Sequence, residues 1–541
     1  MIRRLTSIAA AVLAAAVLAP VAAAALPRVE LSTDIAPGRL AWKTSGMLDL
    51  DQVRATTLEV PGLPGDGTQY CGPTTAVDLL AYLARAGFRT GVDGATDFAA
   101  PENYNAATLA IRSMGAEMPT SATGGTGVLE FVSTFERHLG RGAAAGTLHA
   151  DGGSYRSSDR EPPTPVELAE IGLDGAVVAA ILGQYRTATD ASGTFYQRTG
   201  GHFATLAGVA AMRPYTTAKL TFADPWTAPV LDTTQSPFQF ESYGLTMTTA
   251  RVLQPSGSIE TRDVGFLDGA FAGWQFEGYV AIYPERYLLI RDRSLLRFTP
   301  KPFFATEEQL QRYDLGGAVL DAAFSPRTGR PYALLASGNV VAVGIGPGGK
   351  GGTMANERIG RVAGATSLDV LPTGDVLVAG GTTLRIIGEN STDGAVKTAS
   401  AIVDVVVEPE GGIVALTGKG RTMERFDGRL KRGVVRRLAR AATALDLDAK
   451  GLAVPAPSVR GADAALRDDH GAVVTTASGT LSVRGGEGPG IVKPRSGLGR
   501  LVAVHRGWEL FDEKAYPGPI DTETRSPIPF VPPPPLQPQP Q

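Results

Sequence analysis

Three residues that are far apart in the chain supply the side chains that nucleophilic catalysis requires. Cys71 occurs in the segment QYCGPTTAV, His202 in GGHFATLAGV and Asp224 in FADPW. A cysteine thiolate can attack a carbonyl carbon, an imidazole can take up and return the proton, and a carboxylate can fix the tautomer of that imidazole. The residue types therefore indicate acyl transfer through a thioester.

Cys71 stands where the sequence predicts the beginning of a helix. The segment 70–87 carries apolar residues at helical spacing, with Pro73 in its first turn, where a missing N–H costs little. The free N–H groups and the positive end of a helix stabilise a thiolate, and we expect Gly72 to leave the sulfur open to a substrate. A lone cysteine is more often a small buried apolar residue, and the flanking glycine, proline and threonines argue against that alternative.

His202 is the strongest candidate for the base among the five histidines. It follows two glycines, and the sequence predicts that it begins an apolar strand over 202–209. A second predicted strand, 219–222, ends just before Asp224. If the two strands are antiparallel, His202 and Asp224 lie side by side. The alternative for Asp224 is an ordinary Asp-Pro turn.

Taken together, the CGP sequence at Cys71, the GHF sequence at His202 and the DP sequence at Asp224 resemble the papain-like cysteine peptidase superfamily, closest to its bacteriocin-processing, double-glycine peptidase-like branch. The resemblance covers about residues 55–285 and implies an α+β fold. It also implies Cys71 as nucleophile, His202 as general base and acid, and Asp224 as the orienting carboxylate. Gln69 is the candidate donor to the oxyanion, although the family's glutamine commonly lies further upstream, where this chain has Gly65.

The pattern of predicted elements divides the chain into five parts. Residues 1–25 have the charged, apolar and small-residue regions of a signal peptide, which predicts a secreted or periplasmic protein. Residues 26–60 form an extended lead-in, and residues 61–290 form the peptidase domain. An all-β domain is predicted over 313–510, and the Pro/Gln-rich tail 526–541 is predicted to be disordered.

A loose repeat runs through the predicted all-β domain. Each unit pairs an apolar strand containing an aspartate with a turn that ends in glycine, at Gly329, Gly374, Gly411 and Gly451. The glycines are 45, 37 and 40 residues apart, and a period near this size is typical of a propeller blade. This half resembles β-propeller repeat proteins, with a β-sandwich as the alternative. We expect it to recruit a substrate or a protein partner.

Composition excludes several classes of site. A net charge of 51 − 54 = −3 argues against a broad nucleic-acid-binding surface, and a single cysteine excludes a disulfide framework and any multi-cysteine metal site. We predict no metal and no other cofactor, and no integral membrane span in the mature chain. The glycine-rich segment 344–352 lacks the GK[ST] sequence of a phosphate loop, so a turn is expected there. The basic run 429–440 could meet an acidic partner, but a solvated face is favoured.

These features predict an exported cysteine peptidase or related amide hydrolase that acts on a peptide or protein. The alternative is a catalytically silent scaffold of the same fold, whose propeller-like domain binds a protein. An acyltransferase would use the same three residues and differ only in the acceptor.

Overall fold

The computed structural model describes residues 30–505, apart from gaps at 86–89, 99, 140–144, 150–161, 227–240, 255–256, 284–285, 300–303, 305–308, 326–328, 345–355, 389–393, 409–410, 443–444, 448–451, 456–461, 469–470, 477–480 and 485–499. The predicted signal peptide and the proline-rich tail lie outside these residues.

Four α-helices occur in the described part of the chain: α1 (Cys71–Arg85), α2 (Tyr104–Glu117), α3 (Val128–Leu139) and α4 (Pro165–Leu173). The start of α4 shows how the local sequence sets a boundary. Thr164 is extended and accepts a hydrogen bond from the N–H of Glu167, and Pro165 takes the first helical position, where no N–H is needed. No described helix is both long and apolar enough to cross a membrane.

Nine strands form one sheet in the first half of the chain: β1 (Glu30–Ala36), β2 (Arg39–Ser45), β3 (Ala145–His149), β4 (Val177–Asp190), β5 (Gly193–Met212), β6 (Thr217–Ala223), β7 (Glu241–Leu253), β8 (Ile259–Leu267) and β9 (Trp274–Tyr283). Strands β4 to β9 pair in the order β5-β4-β9-β8-β7-β6, and β6 pairs with β5 in turn. The six strands therefore close into a barrel. The β1–β2 hairpin extends the sheet through β5, and β3 extends it through β9.

Alternate residues of β4 face two different cores, as expected for an extended strand. Val177, Ala179 and Ile181 pack with the apolar faces of α1, α2 and α3. The intervening Val178 and Ala180 pack on the other side of the sheet, with α4 and the remaining barrel strands. Because both faces of β4 are covered over residues 177–182, this part of its sequence is a continuous apolar run instead of an alternating one.

The second half consists of several small antiparallel sheets. Their strands are β10 (Arg286–Arg291), β11 (Ser294–Thr299), β12 (Gln309–Tyr313), β13 (Val319–Phe324), β14 (Pro331–Leu335), β15 (Asn339–Ala342), β16 (Glu357–Arg361), β17 (Ser367–Val370), β18 (Val376–Gly380), β19 (Thr383–Ile387), β20 (Ala395–Lys397), β21 (Ile402–Val407), β22 (Ile413–Thr417), β23 (Thr422–Phe426), β24 (Arg432–Arg437), β25 (Leu445–Leu447), β26 (Ala453–Pro455), β27 (Ala462–Asp468), β28 (Gly471–Thr476), β29 (Leu481–Arg484) and β30 (Arg500–His505). Strand β30 pairs with β10, so the end of the described chain returns to the first of these sheets.

Three aspartates of the sequence repeat each join one sheet to the next along the chain. Asp321 of β13 accepts a hydrogen bond from the main-chain N–H of Leu368 at 3.0 Å. Asp369 of β17 accepts one from Val407 at 2.6 Å, and Asp404 of β21 accepts one from Leu445 at 2.8 Å. The repeat is therefore a device for stacking successive sheets.

The predicted fold class, an α+β papain-like domain followed by an all-β, propeller-like domain, is wrong. In the described residues the first half is dominated by a closed six-strand barrel, with α1, α2 and α3 on one face of β4 and α4 on the other. The second half is a set of small sheets of two to four strands. The physical reason is the length of the strands. At 20 residues, β5 is long enough to pair with β4 along one part and with β2 and β6 along another, so the sheet closes on itself.

Buried ion pairs join α4 to the second half. Glu170 accepts from the guanidinium of Arg330 at 2.8 Å, and Asp174 pairs with both Arg286 and Arg297. All five side chains are at most 10% exposed. Buried charges are tolerated only when they are paired, so these contacts fix the packing of α4 on the small sheets.

Candidate functional site

Cys71 is the first residue of α1, and the turn before it dictates glycine at one position. Gly67 has φ +83°, and a Cβ atom there would lie 1.8 Å from the main-chain oxygen of Gln52. The N–H of Tyr70 donates to Gly67 at 2.9 Å, and the N–H of Thr74 donates to Tyr70 at 3.0 Å, so the helix begins directly after the turn. Cys71 therefore lies in the first turn of a 15-residue helix.

The space that a side chain at position 72 would occupy is taken by Thr126. A Cβ atom on Gly72 would lie 2.9 Å from both Cβ and Oγ1 of Thr126. The glycine is required because the segment that precedes α3 packs directly on the start of α1.

His202 lies in the middle of β5 and not at its beginning. Residues 193–201 continue the strand, and Leu182 of β4 is the residue opposite His202. The register between β4 and β5 shifts at Gln184/Tyr185, which leaves Thr199 as an extra residue of β5 next to Gly200. The glycine pair thus lies beside a β-bulge within β5, and the strand does not begin there.

The structure brings His202 and Asp224 together. Strands β5 and β6 are antiparallel, with Thr205 opposite Ala223, and Asp224 directly follows β6. Nε2 of His202 lies 2.6 Å from Oδ1 of Asp224, and the two side chains are 0% and 4% exposed. The same carboxylate oxygen accepts the N–H of Trp226 at 3.0 Å, which fixes its orientation.

Cys71 completes the group. The thiol of Cys71 belongs to the electrostatic environment of His202, where it acts with Asp224 to raise the pKa of the imidazole. Because Nε2 engages Asp224, Nδ1 is the ring nitrogen available to the sulfur. Cys71 is 7% exposed and His202 is 2% exposed, so the three residues form a nearly buried unit.

The environment of His202 favours the imidazolium. Burial alone lowers the pKa of an imidazole, but the charge of Asp224, its hydrogen bond and the neighbouring Cys71 raise it, and the pKa of His202 is about 10 instead of 6.5. Aromatic rings enclose the imidazole, with the ring centroid of Phe271 at 5.8 Å and that of Trp274 at 6.2 Å. Excluding water from the ion pair strengthens it.

Several carboxyl groups near Asp224 were missed by the sequence analysis. Burial, together with Asp224, Asp51 and Glu241, raises the pKa of Asp49 well above its usual range. Burial raises the pKa of Asp51 to about 8; Arg54 opposes this shift, and Asp224 adds to it. At neutral pH Asp51 therefore carries a proton, which limits the negative charge around Asp224. The alternation of leucine and aspartate in LDLDQ, residues 48–52, is the sequence signal that points to one buried and one polar side.

Gln69 is 8% exposed, and its Oε1 lies 3.3 Å from the position that a Cβ atom on Gly125 would take. Its side chain therefore packs against the turn that precedes α3.

The described residues contain no cluster of three or more histidine, cysteine, aspartate or glutamate side chains arranged to hold a metal ion. Most of the glycine-rich segment 344–352 lies outside the described residues. In the basic run, strand β24 is exposed at all six positions.

Comparisons with known proteins add no functional information. No family model and no curated protein matches the chain. Among solved structures, the chain is similar to a protein of unknown function from Bacteroides caccae, with 12% identity and a TM-score of 0.30. The similar region covers 41% of this chain and 98% of that protein. The predicted membership of the papain-like superfamily is therefore without support from these comparisons.

Proposed function

We propose that this protein is a thiol hydrolase that cleaves an amide bond in a peptide or protein through a thioester intermediate. The observation that carries the proposal is the buried hydrogen bond between His202 and Asp224, with the thiol of Cys71 in the electrostatic environment of the same imidazole. A sulfur beside an imidazole that is held by a carboxylate is the arrangement that activates a cysteine nucleophile.

In the acylation step, the Cys71 thiolate forms a bond to the carbonyl carbon and the carbonyl oxygen takes the negative charge. The main-chain N–H groups of Cys71 and Gly72, at the start of α1, are the proposed donors to that oxygen. Nδ1 of His202 then gives its proton to the amide nitrogen, the carbon–nitrogen bond breaks, and the amine leaves. An acyl group remains on the sulfur.

In the deacylation step, Nδ1 of the neutral His202 takes a proton from water, and the water oxygen bonds to the thioester carbon. The carbon–sulfur bond breaks, which releases the acid and restores the thiolate and the imidazolium. Asp224 accepts the hydrogen bond from Nε2 throughout, so the imidazole keeps the orientation in which Nδ1 faces the sulfur.

The second half has the role of holding a substrate or a protein partner, and the edge strand β24 is its most exposed described strand. A second candidate function, a catalytically silent scaffold, is favoured by one observation. Cys71, His202 and Asp224 are 7%, 2% and 3% exposed, which restricts the access of a substrate to the sulfur.

The test is hydrolysis of casein and of a mixture of fluorogenic peptide amides by the full chain. We expect turnover by the natural sequence, and a loss of at least about 10³-fold in Cys71→Ala and in His202→Gln, because each removes a group that takes part in bond making. Asp66→Asn is the matched control, since Asp66 is exposed in the turn before Cys71. Equal turnover by Cys71→Ala contradicts the proposal, and no turnover by any form favours the scaffold.

A further inference from the structure

Gln52 occupies a central place between the two chain segments that carry Cys71 and Asp224. It is fully buried, with 0% exposure. Its main-chain N–H donates to the carbonyl of Pro225 at 2.9 Å, and its side-chain Nε2 donates to the carbonyls of Gly67 at 3.2 Å and Thr68 at 3.0 Å.

The three residues that accept these hydrogen bonds are close in sequence to Asp224 or to Cys71. Pro225 directly follows Asp224, and Gly67 and Thr68 lie in the turn that leads into Cys71. The main chain of Gln52 therefore binds the segment of the carboxylate, and its amide binds the segment of the nucleophile. The close approach of Gly67, where a Cβ atom would lie 1.8 Å from the Gln52 oxygen, shows how tightly the two segments meet.

The side chain of Gln52 has an unfavourable feature that points to its role. Its Oε1 is buried and has no hydrogen-bond partner among the described residues. An unsatisfied buried acceptor is destabilising, and methionine would fill a similar volume without this cost. The benefit of a glutamine at this position is therefore its NH₂ group, which satisfies two carbonyls at once.

We propose that Gln52 is a positioning residue for the thiol site. Its amide holds the turn before Cys71 at the separation from Asp224 that allows the sulfur to meet Nδ1 of His202. The inference rests on the proposed function, because it assigns to Gln52 the geometry on which the thiolate depends. Through Gln52, the segment 47–54 then contacts both chain segments that carry the site residues.

The test measures alkylation of Cys71 by iodoacetamide from pH 5 to pH 10 in the full chain and in Gln52→Met. Cys71 is the single cysteine, so the incorporated mass reports on this residue alone. The matched control is Gln254→Met, because Gln254 is a buried glutamine in the turn after β7, 7% exposed. Unfolding midpoints are recorded on the same samples, which separates a loss of stability from a change in reactivity.

We expect the rate at pH 6 to fall about tenfold in Gln52→Met, with less than about a threefold change at pH 9.5, where hydroxide generates the thiolate without help. Gln254→Met should keep the natural profile. Gln52→Asn retains an amide but shortens its reach by one methylene group, so Cys71 should lose reactivity at pH 6 in the same way. This variant replaces Gln52→Met in the test if Gln52→Met does not fold.

Two results overturn the inference, and they differ in whether the proposed function also fails. If the natural protein reacts rapidly at pH 6 and Gln52→Met shows the same profile, Gln52 has no positioning role, and the proposed function stands. If the natural protein itself reacts only at alkaline pH, the proposed function fails and the role of Gln52 fails with it.

Discussion

Nε2 of His202 lies 2.6 Å from Oδ1 of Asp224, and neither side chain is more than 4% exposed. The two residues are 22 positions apart in the chain and reach each other because β5 and β6 are antiparallel neighbours. A buried carboxylate at this distance holds a proton on the ring, and Nδ1 on the opposite side remains for the sulfur of Cys71.

Asp224→Asn tests the contribution of that carboxylate to catalysis. Without the charge of Asp224, the burial that lowers the pKa of His202 is opposed less strongly, so that pKa falls. We expect kcat to decrease roughly 10²- to 10³-fold, which is less than the loss in Cys71→Ala because the nucleophile remains. The measurement is the pH profile of kcat. If the pH profile of kcat is the same in Asp224→Asn as in the natural chain, this role is contradicted.

His202 also makes stability depend on pH. Its pKa is about 10 in the folded protein and 6.5 in an unfolded chain, so folded His202 keeps a proton that the unfolded imidazole has lost. The Cys71 thiolate of the proposed function offsets this proton up to about pH 8.5, where the thiol of an unfolded chain ionises. The free energy of unfolding should therefore fall as pH rises from about 8.5 to 10, by up to about 1.4 kcal/mol per pH unit for one proton. Urea unfolding of the natural chain and His202→Gln between about pH 8.5 and 10 should show a smaller slope in the variant. Equal slopes would rule out the raised pKa.

The ionisation of Asp51 also lowers the free energy of unfolding as pH rises, over a lower range of pH. Its pKa is about 8 in the folded protein against 3.8 in an unfolded chain, so the folded state holds its extra proton between these values and loses stability as pH rises. Asn resembles the protonated carboxyl. Asp51→Asn should therefore reduce the slope of the unfolding free energy against pH between pH 4 and 8 by about the contribution of one proton. Asp66→Asn, which changes an exposed carboxyl, is the control. A variant of Asp51 with the natural slope contradicts the prediction.

The ion pair between Glu170 and Arg330 should matter for stability far more than an exposed pair. Arg330→Met leaves the Glu170 carboxylate buried without its cation, and we expect a loss of about 3 kcal/mol in the free energy of unfolding. Glu170→Gln combined with Arg330→Met should recover part of it. Asp34 and Arg39 lie 3.2 Å apart with side chains 55% and 49% exposed, and Arg39→Met should cost less than about 1 kcal/mol. Equal losses for the two arginines would contradict the importance of burial.

The local sequence was sufficient for the elements that carry the site. Proline and the apolar spacing placed the start of α1 near Cys71. The strand that ends before Asp224 is antiparallel to that of His202, which is the condition under which the sequence placed these two residues side by side. Helix α2 escaped prediction because its buried face consists partly of small and polar residues such as Ala107, Thr108 and Gly115, which give little apolar periodicity.

The closure of the barrel could not be derived from the same patterns. It depends on β5 pairing with several partners, and pairings between distant strands leave no local signal. The segment 47–54 was missed for a similar reason. Its charged and amide residues resemble a linker, and only the folded chain shows that Gln52 bridges two loops and that Asp49 and Asp51 lie near Asp224.

We propose that the imidazole of His202 activates the sulfur of Cys71. The rate at which the folded chain is alkylated by iodoacetamide at about pH 7, followed as the gain in intact mass, reports Cys71 alone, since the chain has one cysteine. The natural chain should react at least about tenfold faster than His202→Gln, because an imidazole beside the sulfur can take up its proton. Equal rates in the natural chain and in His202→Gln would contradict the account.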